Sequence, residues 1–304
     1  MNLNWITFKG MFAESPLWKK IILFIFLLIF CTVTLTSLSM LISHVAGWNP
    51  NSIEDLKVKQ LMCSSGMFIL GPALFVYLTK REPSGYFQLN LVDPRIIFLG
   101  ILAFFTAYPF IAVATSWNEG MHMSEALQGV ERWMRESEEL MKVTTLRMLE
   151  SNSIPQLISN LIVIALIPAI GEELTFRGVI QQSLAKYLKN EHVAVWLAAT
   201  LFSAIHLQFF GFFPRLLLGV VLGYIFLYGR SLIASIFCHF MNNAIIIIYA
   251  HVSDPETALA SESSFNNLTH GTIAASVLLL VVTFFILMRI KYISDKNKGS
   301  DLKQ

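Results

Sequence analysis

Hydrophobic residues along this chain fall into long blocks rather than into alternating or heptad patterns. Eight blocks stand out, at roughly 20–43, 61–79, 96–116, 154–171, 192–210, 214–228, 231–250 and 271–290. Most approach the roughly 17–25 residues that a helix needs to cross the hydrocarbon core, and 214–228 is short. Such a pattern predicts an all-α fold, a polytopic membrane helix bundle of about eight transmembrane helices. One integral-membrane domain over 1–304 is the simplest organisation.

Residues 118–150 break the pattern. This insert, "NEGMHMSEALQGVERWMRESEELMKVTTLRMLE", is polar, acidic and helix-prone. Leu127, Val130, Trp133 or Met134, Leu140 and Met141 are spaced as an amphipathic stripe. It suits a surface helix, a cap on the bundle or a partner contact, and the plainest reading is a solvated helical hairpin.

Composition agrees with a membrane protein. The chain is 55% hydrophobic and 14% charged, where soluble domains are near a quarter charged. A net charge of +2 gives no footprint for nucleic acid, so no nucleic-acid partner is expected. Cys31, Cys63 and Cys238 all sit in apolar blocks and offer no disulfide framework. The first block is too long for a cleavable signal and reads as an uncleaved span.

Basic residues cluster in alternate connections: Lys9, Lys19 and Lys20; Lys80, Arg81 and Arg95; Lys186 and Lys189; Arg230; and Arg289 to Lys298. An even number of spans with both termini cytoplasmic satisfies this asymmetry. No eukaryotic targeting signal is evident, which favours a bacterial inner (plasma) membrane. "NLT" at Asn267 then falls in an outer loop. "GVVLG" sets Gly219 and Gly223 four apart, for close helix approach inside the bundle or between two copies.

Ionisable side chains inside spans cost roughly 2.5–3.5 kcal/mol each and mark functional sites by default. "PAIGEELTFRGVI" places Glu172, Glu173 and Arg177 directly after an apolar block. On a helix Glu173 and Arg177 are i and i+4 and form a pair. Glu172 points about 100° away, so it is left as a general base or a metal ligand. The competing structural reading is a charge cluster at a helix end. "TLFSAIHLQFF" puts His206 one turn after Phe202. "SIFCHFMNNAI" puts His239 and Asn243 on one helix face, suited to oxyanion donation or metal binding. Each of these is equally readable alone as packing or as an interhelical clamp. Together they supply the inventory for water activation.

These three motifs resemble those of the CPBP (CAAX protease and bacteriocin-processing, or ABI) family of intramembrane proteases. The family pattern EExxxR, FxxxH and HxxxN/D reads here as Glu172-Glu173-Leu-Thr-Phe-Arg177, Phe202-Ser-Ala-Ile-His206 and His239-Phe-Met-Asn-Asn243. The resemblance covers about 172–243 and implies a catalytic core at 154–250. It implies that Glu172 and His206 activate water and that His239 and Asn243 stabilise the oxyanion. Glu173, Arg177 and Phe202 would be structural support. Members are described both as metalloproteases and as metal-independent glutamate proteases. One Zn²⁺ on Glu172, His206 and His239 is chemically compatible with the motifs. The implied substrates are a prenylated CAAX-type protein, a bacteriocin or another peptide, reached from membrane lipid. A non-catalytic scaffold or immunity protein of the same fold, and a proton-coupled transporter, are the alternatives. HExxH, GxGD and GxSG are missing, so other intramembrane protease classes fit worse.

One tension stands in the block boundaries. If 155–171 is a straight inward span, Glu172 lies only about 5 Å from the inner edge, while His206 lies about 20 Å in. A shared site requires a longer helix, from about 155 to 188, broken or tilted near Pro168 or Gly171. The expected result is a conical cavity holding Glu172, His206, His239 and Asn243.

Overall fold

The computed structural model describes residues 8–257, 259 and 269–301. Among them there is no strand. Nine main helices follow in order: α1 Leu17–Val45, α2 Ile53–Thr79, α3 Pro94–Glu119, α4 Gln128–Leu149, α5 Ile154–Leu188, α6 Glu191–Ala204, α7 Phe212–Gly229, α8 Leu232–Val252 and α9 His270–Asp301. Seven are long and apolar enough to cross a membrane, namely all but α4 and α6. The sequon at Asn267 lies outside the described residues.

Local chemistry sets the helix ends. Ser52, Asp93 and Asn190 each accept a backbone N–H of the following turn, at Asp55, Arg95 and Val193. Lys189 and Arg230 adopt φ +54° and +53° and close α5 and α7 in left-handed caps.

The decisive departure from the block reading is α5. It does not stop at Gly171 but runs to Leu188. Its 161–166 and 174–181 stretches are π-helical. Pro168 follows the first of these by two residues. A proline lacks the N–H and crowds the carbonyl one turn back, and a wider π turn there absorbs both. Pro72 of α2 is likewise preceded by a π turn, at 65–70.

The extra length removes the depth conflict. Glu172 lies 16 residues before the end of α5, about 24 Å, and His206 lies 15 residues beyond the start of α6, about 22 Å. Both helix ends face the same side of the bundle.

The 192–210 block also needs correction. α6 ends at Ala204 after 14 residues, roughly 21 Å and short of the roughly 30 Å hydrocarbon core. The chain then turns, with Leu207 at φ +53°, and α7 returns antiparallel along α6. His206 therefore sits in the turn and not on the helix.

The insert is not a hairpin. Between Val130 and Leu149 there is no Gly or Pro to turn the chain, and α4 is one helix. The apolar stripe is not its inner face either. Leu127, Val130, Trp133 and Leu140 are exposed, whereas Met134, Met148 and Leu149 are buried. The face toward the bundle is partly polar because it covers a polar cavity. Glu138 accepts the Phe210 N–H at 2.9 Å, and Arg135 stacks 3.9 Å over the Phe210 ring.

Elsewhere α3, α7, α8 and α9 share the largest apolar core, around Ile96, Ala103, Leu222, Ile225, Cys238 and Ile290. The basic connections gather at one end of the bundle, where Arg230 pairs with Asp295 and Asp93 accepts from Asn297. Gly66 packs where α2 crosses α1: a Cβ there would lie 2.6 Å from the Cys31 carbonyl oxygen. We expect Gly66→Ala to lower the thermal midpoint of the detergent-solubilised protein. Gly129→Ala, with nothing within 4 Å of the added carbon, is expected to leave it unchanged or slightly higher, since Ala exceeds Gly in helix propensity.

Candidate active site

At the centre of the bundle a carboxylate and a guanidinium are sealed from solvent. Glu173 and Arg177 side chains are 0% and 1% exposed, and Arg177 Nη1 donates to Glu173 Oε1 at 2.7 Å. The expected i, i+4 pair is present, but it has more partners than sequence suggests. Arg177 Nη2 donates to the Gly219 carbonyl of α7 at 2.9 Å, and its guanidinium lies 4.9 Å from the Phe202 ring centroid on α6. Glu173 Oε2 accepts the Ser235 hydroxyl of α8 at 2.7 Å, and Oε1 also accepts His239 Nδ1–H at 2.9 Å. One ion pair thus ties α5 to α6, α7 and α8.

Gly219 makes this approach possible. A Cβ there would meet Ala199 at 3.0 Å and Phe202 at 3.2 Å, and one at Gly223 would meet Val195 at 2.9 Å. Gln181 Nε2 donates to the Gly223 carbonyl at 3.0 Å. Both glycines of "GVVLG" are therefore engaged inside the bundle. Gly171 does the same on the other side of α5, where a Cβ would lie 2.7 Å from Phe68 Cβ of α2.

His239 connects this buried cluster to a cavity. With Nδ1–H held by Glu173, its Nε2 faces Glu172 Oε2 at 3.7 Å. Glu172 is 12% exposed and lines a cavity of about 1100 Å³. The same cavity is lined by His206, His239, Asn242 and Asn243, with Glu138 and Lys142 of α4 across from them. The structure therefore brings the four predicted residues to one cavity. Glu172 stays outside the Glu173–Arg177 salt bridge, as expected, and His239 is its neighbour.

Backbone and side-chain bonds fix the rings. His206 Nδ1–H donates to the Phe202 carbonyl at 2.7 Å, so Nε2 carries the lone pair. Phe202 packs edge-on against His206 at 5.1 Å, His239 at 5.8 Å and Phe176 at 5.3 Å. Asn243 Oδ1 accepts from Asn242 Nδ2 at 3.0 Å, which leaves its own NH₂ as donor.

Three residues outside the motifs hold the site. Asn118 of α3 donates to the Phe209 carbonyl at 3.1 Å and accepts the Phe213 N–H at 3.0 Å. With Glu138, it pins the turn that carries His206. Ser235 is the third, and it was legible: it lies four residues before His239 on the same helix face. Asn118 and Glu138 carry no such signal, because their partners are backbone groups about 70–95 residues away.

Zinc needs three ligands drawn to one point. Two imidazoles with free Nε2 lone pairs and a carboxylate are suitable donor chemistry. Among the described residues, however, no three His, Cys, Asp or Glu side chains converge closely enough to hold a metal ion.

Breaking one side of a buried ion pair strands a charge and costs about 3–5 kcal/mol. We expect Arg177→Ala and Glu173→Ala each to lower thermal stability in detergent strongly. Glu172→Gln, at the cavity wall and outside the pair, is expected to leave the midpoint within error.

No curated protein and no solved structure matches the chain. Residues 154–245, which are 92 of the 304, match the model of the Rce1-like family, described as type II CAAX prenyl endopeptidase Rce1-like. At family level the match supports a CAAX-type intramembrane endopeptidase in an integral membrane protein. The matched segment contains α5, α6, α7 and the part of α8 that bears His239 and Asn243, and all three motifs that resemble the CPBP pattern fall within it.

Proposed function

We propose that the protein hydrolyses a peptide bond of a membrane-held peptide or lipidated protein in the cavity beside α8, with Glu172 as the base for water. The observation that carries this is the shared cavity: Glu172, His206, His239 and Asn243 all line it, and Glu172 Oε2 is 3.7 Å from His239 Nε2. We assign catalysis to 154–250 and a covering role to 118–150.

In this reading a water molecule sits between Glu172 and His206. His206 accepts one of its hydrogen bonds through Nε2. Glu172 takes the other proton as the oxygen attacks the scissile carbonyl carbon. The C=O π electrons move onto oxygen, and the oxyanion accepts a hydrogen bond from Asn243 Nδ2–H, with His239 beside it. The Glu173 carboxylate on Nδ1–H orients the His239 ring, as a buried carboxylate does for a catalytic imidazole. The tetrahedral intermediate then collapses with cleavage of the C–N bond, and Glu172 returns its proton to the leaving amine.

For placement, we infer a bacterial inner membrane with both termini cytoplasmic. The gathering of Lys80, Lys186, Arg230 and Lys291 at one end of the bundle supports this orientation.

Cleavage by purified protein of farnesylated peptides with a C-terminal Cys motif, and of an unmodified peptide library, tests the reading. Mass spectrometry locates the cut. We expect Glu172→Gln to lose about 10²–10⁴-fold in rate and Asn243→Ala about 10²–10³-fold. Wild type that cuts nothing, and that matches Glu172→Ala in cells, would leave a scaffold. Metal dependence separates in the same assay. The side-chain mechanism expects activity to survive chelators, and loss restored by added Zn²⁺ would move Glu172, His206 and His239 to the ligand role.

A further inference from the structure

The two ends of the bundle differ in charge, and the catalytic cavity belongs to only one of them. The first end gathers the segment before α1, the α2–α3, α5–α6 and α7–α8 connections and the end of α9. Hydrogen bonds tie these together. Gly10 N–H donates to the Tyr77 carbonyl at 2.9 Å, and Leu232 N–H to the Gln88 carbonyl at 3.0 Å. Gln88 Nε2 donates to Gln182 Oε1 at 3.1 Å, and Arg230 to Asp295 at 2.8 Å. The second end gathers the α1–α2 connection, both flanks of α4, the α6–α7 turn and the end of α8. Here Arg147 Nη2 donates to the Asn51 carbonyl at 2.8 Å, Asn118 to the Phe209 carbonyl at 3.1 Å and His251 Nδ1–H to the Ser151 carbonyl at 2.9 Å.

Among the described residues, thirteen Lys and Arg stand at the first end. Three are at the start of α1, three between α2 and α3, two between α5 and α6, one is Arg230 and four are in the last part of α9. Seven stand at the second end, four of them on α4. Short connections rich in Lys and Arg stay in the cytoplasm, so the first end is the cytoplasmic one.

The cavity lies toward the second end. Glu119 at the end of α3, Glu138 and Lys142 of α4, and Gln208 and Gly211 of the α6–α7 turn line it, and none of the thirteen cations does. Toward the first end it is closed by a dry layer: Glu173, Phe176, Arg177, Phe202 and Leu232 are each 2% exposed or less. A peptide entering through that layer would have to break the buried ion pair and leave its own backbone groups unsatisfied.

We propose that the site acts on the extracytoplasmic side of the membrane. Its substrate is a peptide segment that has already been exported, or one that emerges from the outer end of a membrane span. This rests on the peptidase reading for its chemistry and on the geometry above for its side. A translocation step must then supply the substrate, because the scissile bond has to cross the membrane before it reaches Glu172. A lipidated protein held at the inner leaflet would meet the closed layer instead.

The test labels the full chain in spheroplasts of a bacterial host with a membrane-impermeant maleimide. Cys31 and Cys238 are buried, so a Cys63→Ala parent serves as the blank. Glu139→Cys on the cavity side of α4 is expected to label equally before and after permeabilisation. Lys296→Cys, at the first end, is expected to label only after it. Should Glu139→Cys fail to fold, the conservative Ser137→Cys on the same helix replaces it. The reverse pattern, or equal labelling of both positions in sealed spheroplasts, overturns the proposal. A second arm uses an impermeant quenched peptide that the detergent-solubilised protein cuts. Spheroplasts should cut it from outside, and sealed inside-out vesicles should cut it only once detergent is added. Cutting by sealed inside-out vesicles overturns the proposal. If no peptide is cut even in detergent, the peptidase reading fails, while the labelling still decides on which side the cavity opens.

Discussion

A charge pair with no water around it governs this bundle. Glu173 and Arg177 are each too costly to bury alone, and one ion pair does not satisfy all their donors and acceptors. The remaining demand is met by α7 through the Gly219 carbonyl, by α8 through Ser235 and His239, and by the Phe202 face of α6. The helices are thus positioned by hydrogen-bond demand as much as by apolar packing. In lipid, where helix association gains little from the hydrophobic effect, that demand is a strong organiser. It also divides the two adjacent glutamates by role: one is consumed by structure, and the other is left at the cavity wall.

Much of the fold was legible because lipid imposes a simple rule: apolar blocks of sufficient length become helices. The motif residues were legible for a related reason, since intramembrane charge needs explanation. What the blocks hid was backbone irregularity. Hydropathy ends at Gly171, so the charged half of α5 reads as an interfacial segment. Only tertiary partners for Glu173 and Arg177 let that half continue as helix. Likewise "TLFSAIHLQFF" sits in an apolar block, and no Gly or Pro within it marks the turn at Ile205–Leu207. Ser203 accounts for part of that turn, donating its hydroxyl to the Phe212 carbonyl at 2.6 Å.

The insert illustrates the limit of periodicity. Its stripe at Leu127, Val130, Trp133 and Leu140 is real, yet it points away from the bundle. An amphipathic pattern identifies two faces without saying which one meets protein. Here the inward face also carries Glu131 and Glu138. Glu131 accepts from Met123 N–H, Arg135 and His122, which lowers its pKa to about 2. Acidic residues that look like solubilising charge are instead clasps for loop backbone.

The π-helical turns of α5 carry a further meaning. A π turn holds more residues than an α turn over the same rise, so each one is a phase adjustment between the stretches it joins. The 174–181 turn sets the phase between Glu173 above and the Gln182–Leu188 segment below. Losing one residue at 178–181, after Arg177, would keep every motif letter and still rotate one half of the helix by about 100° against the other. The length of this turn is in that sense specified as well as its side chains. A chain with all the right residues but one fewer in this turn would present its carboxylates to different neighbours.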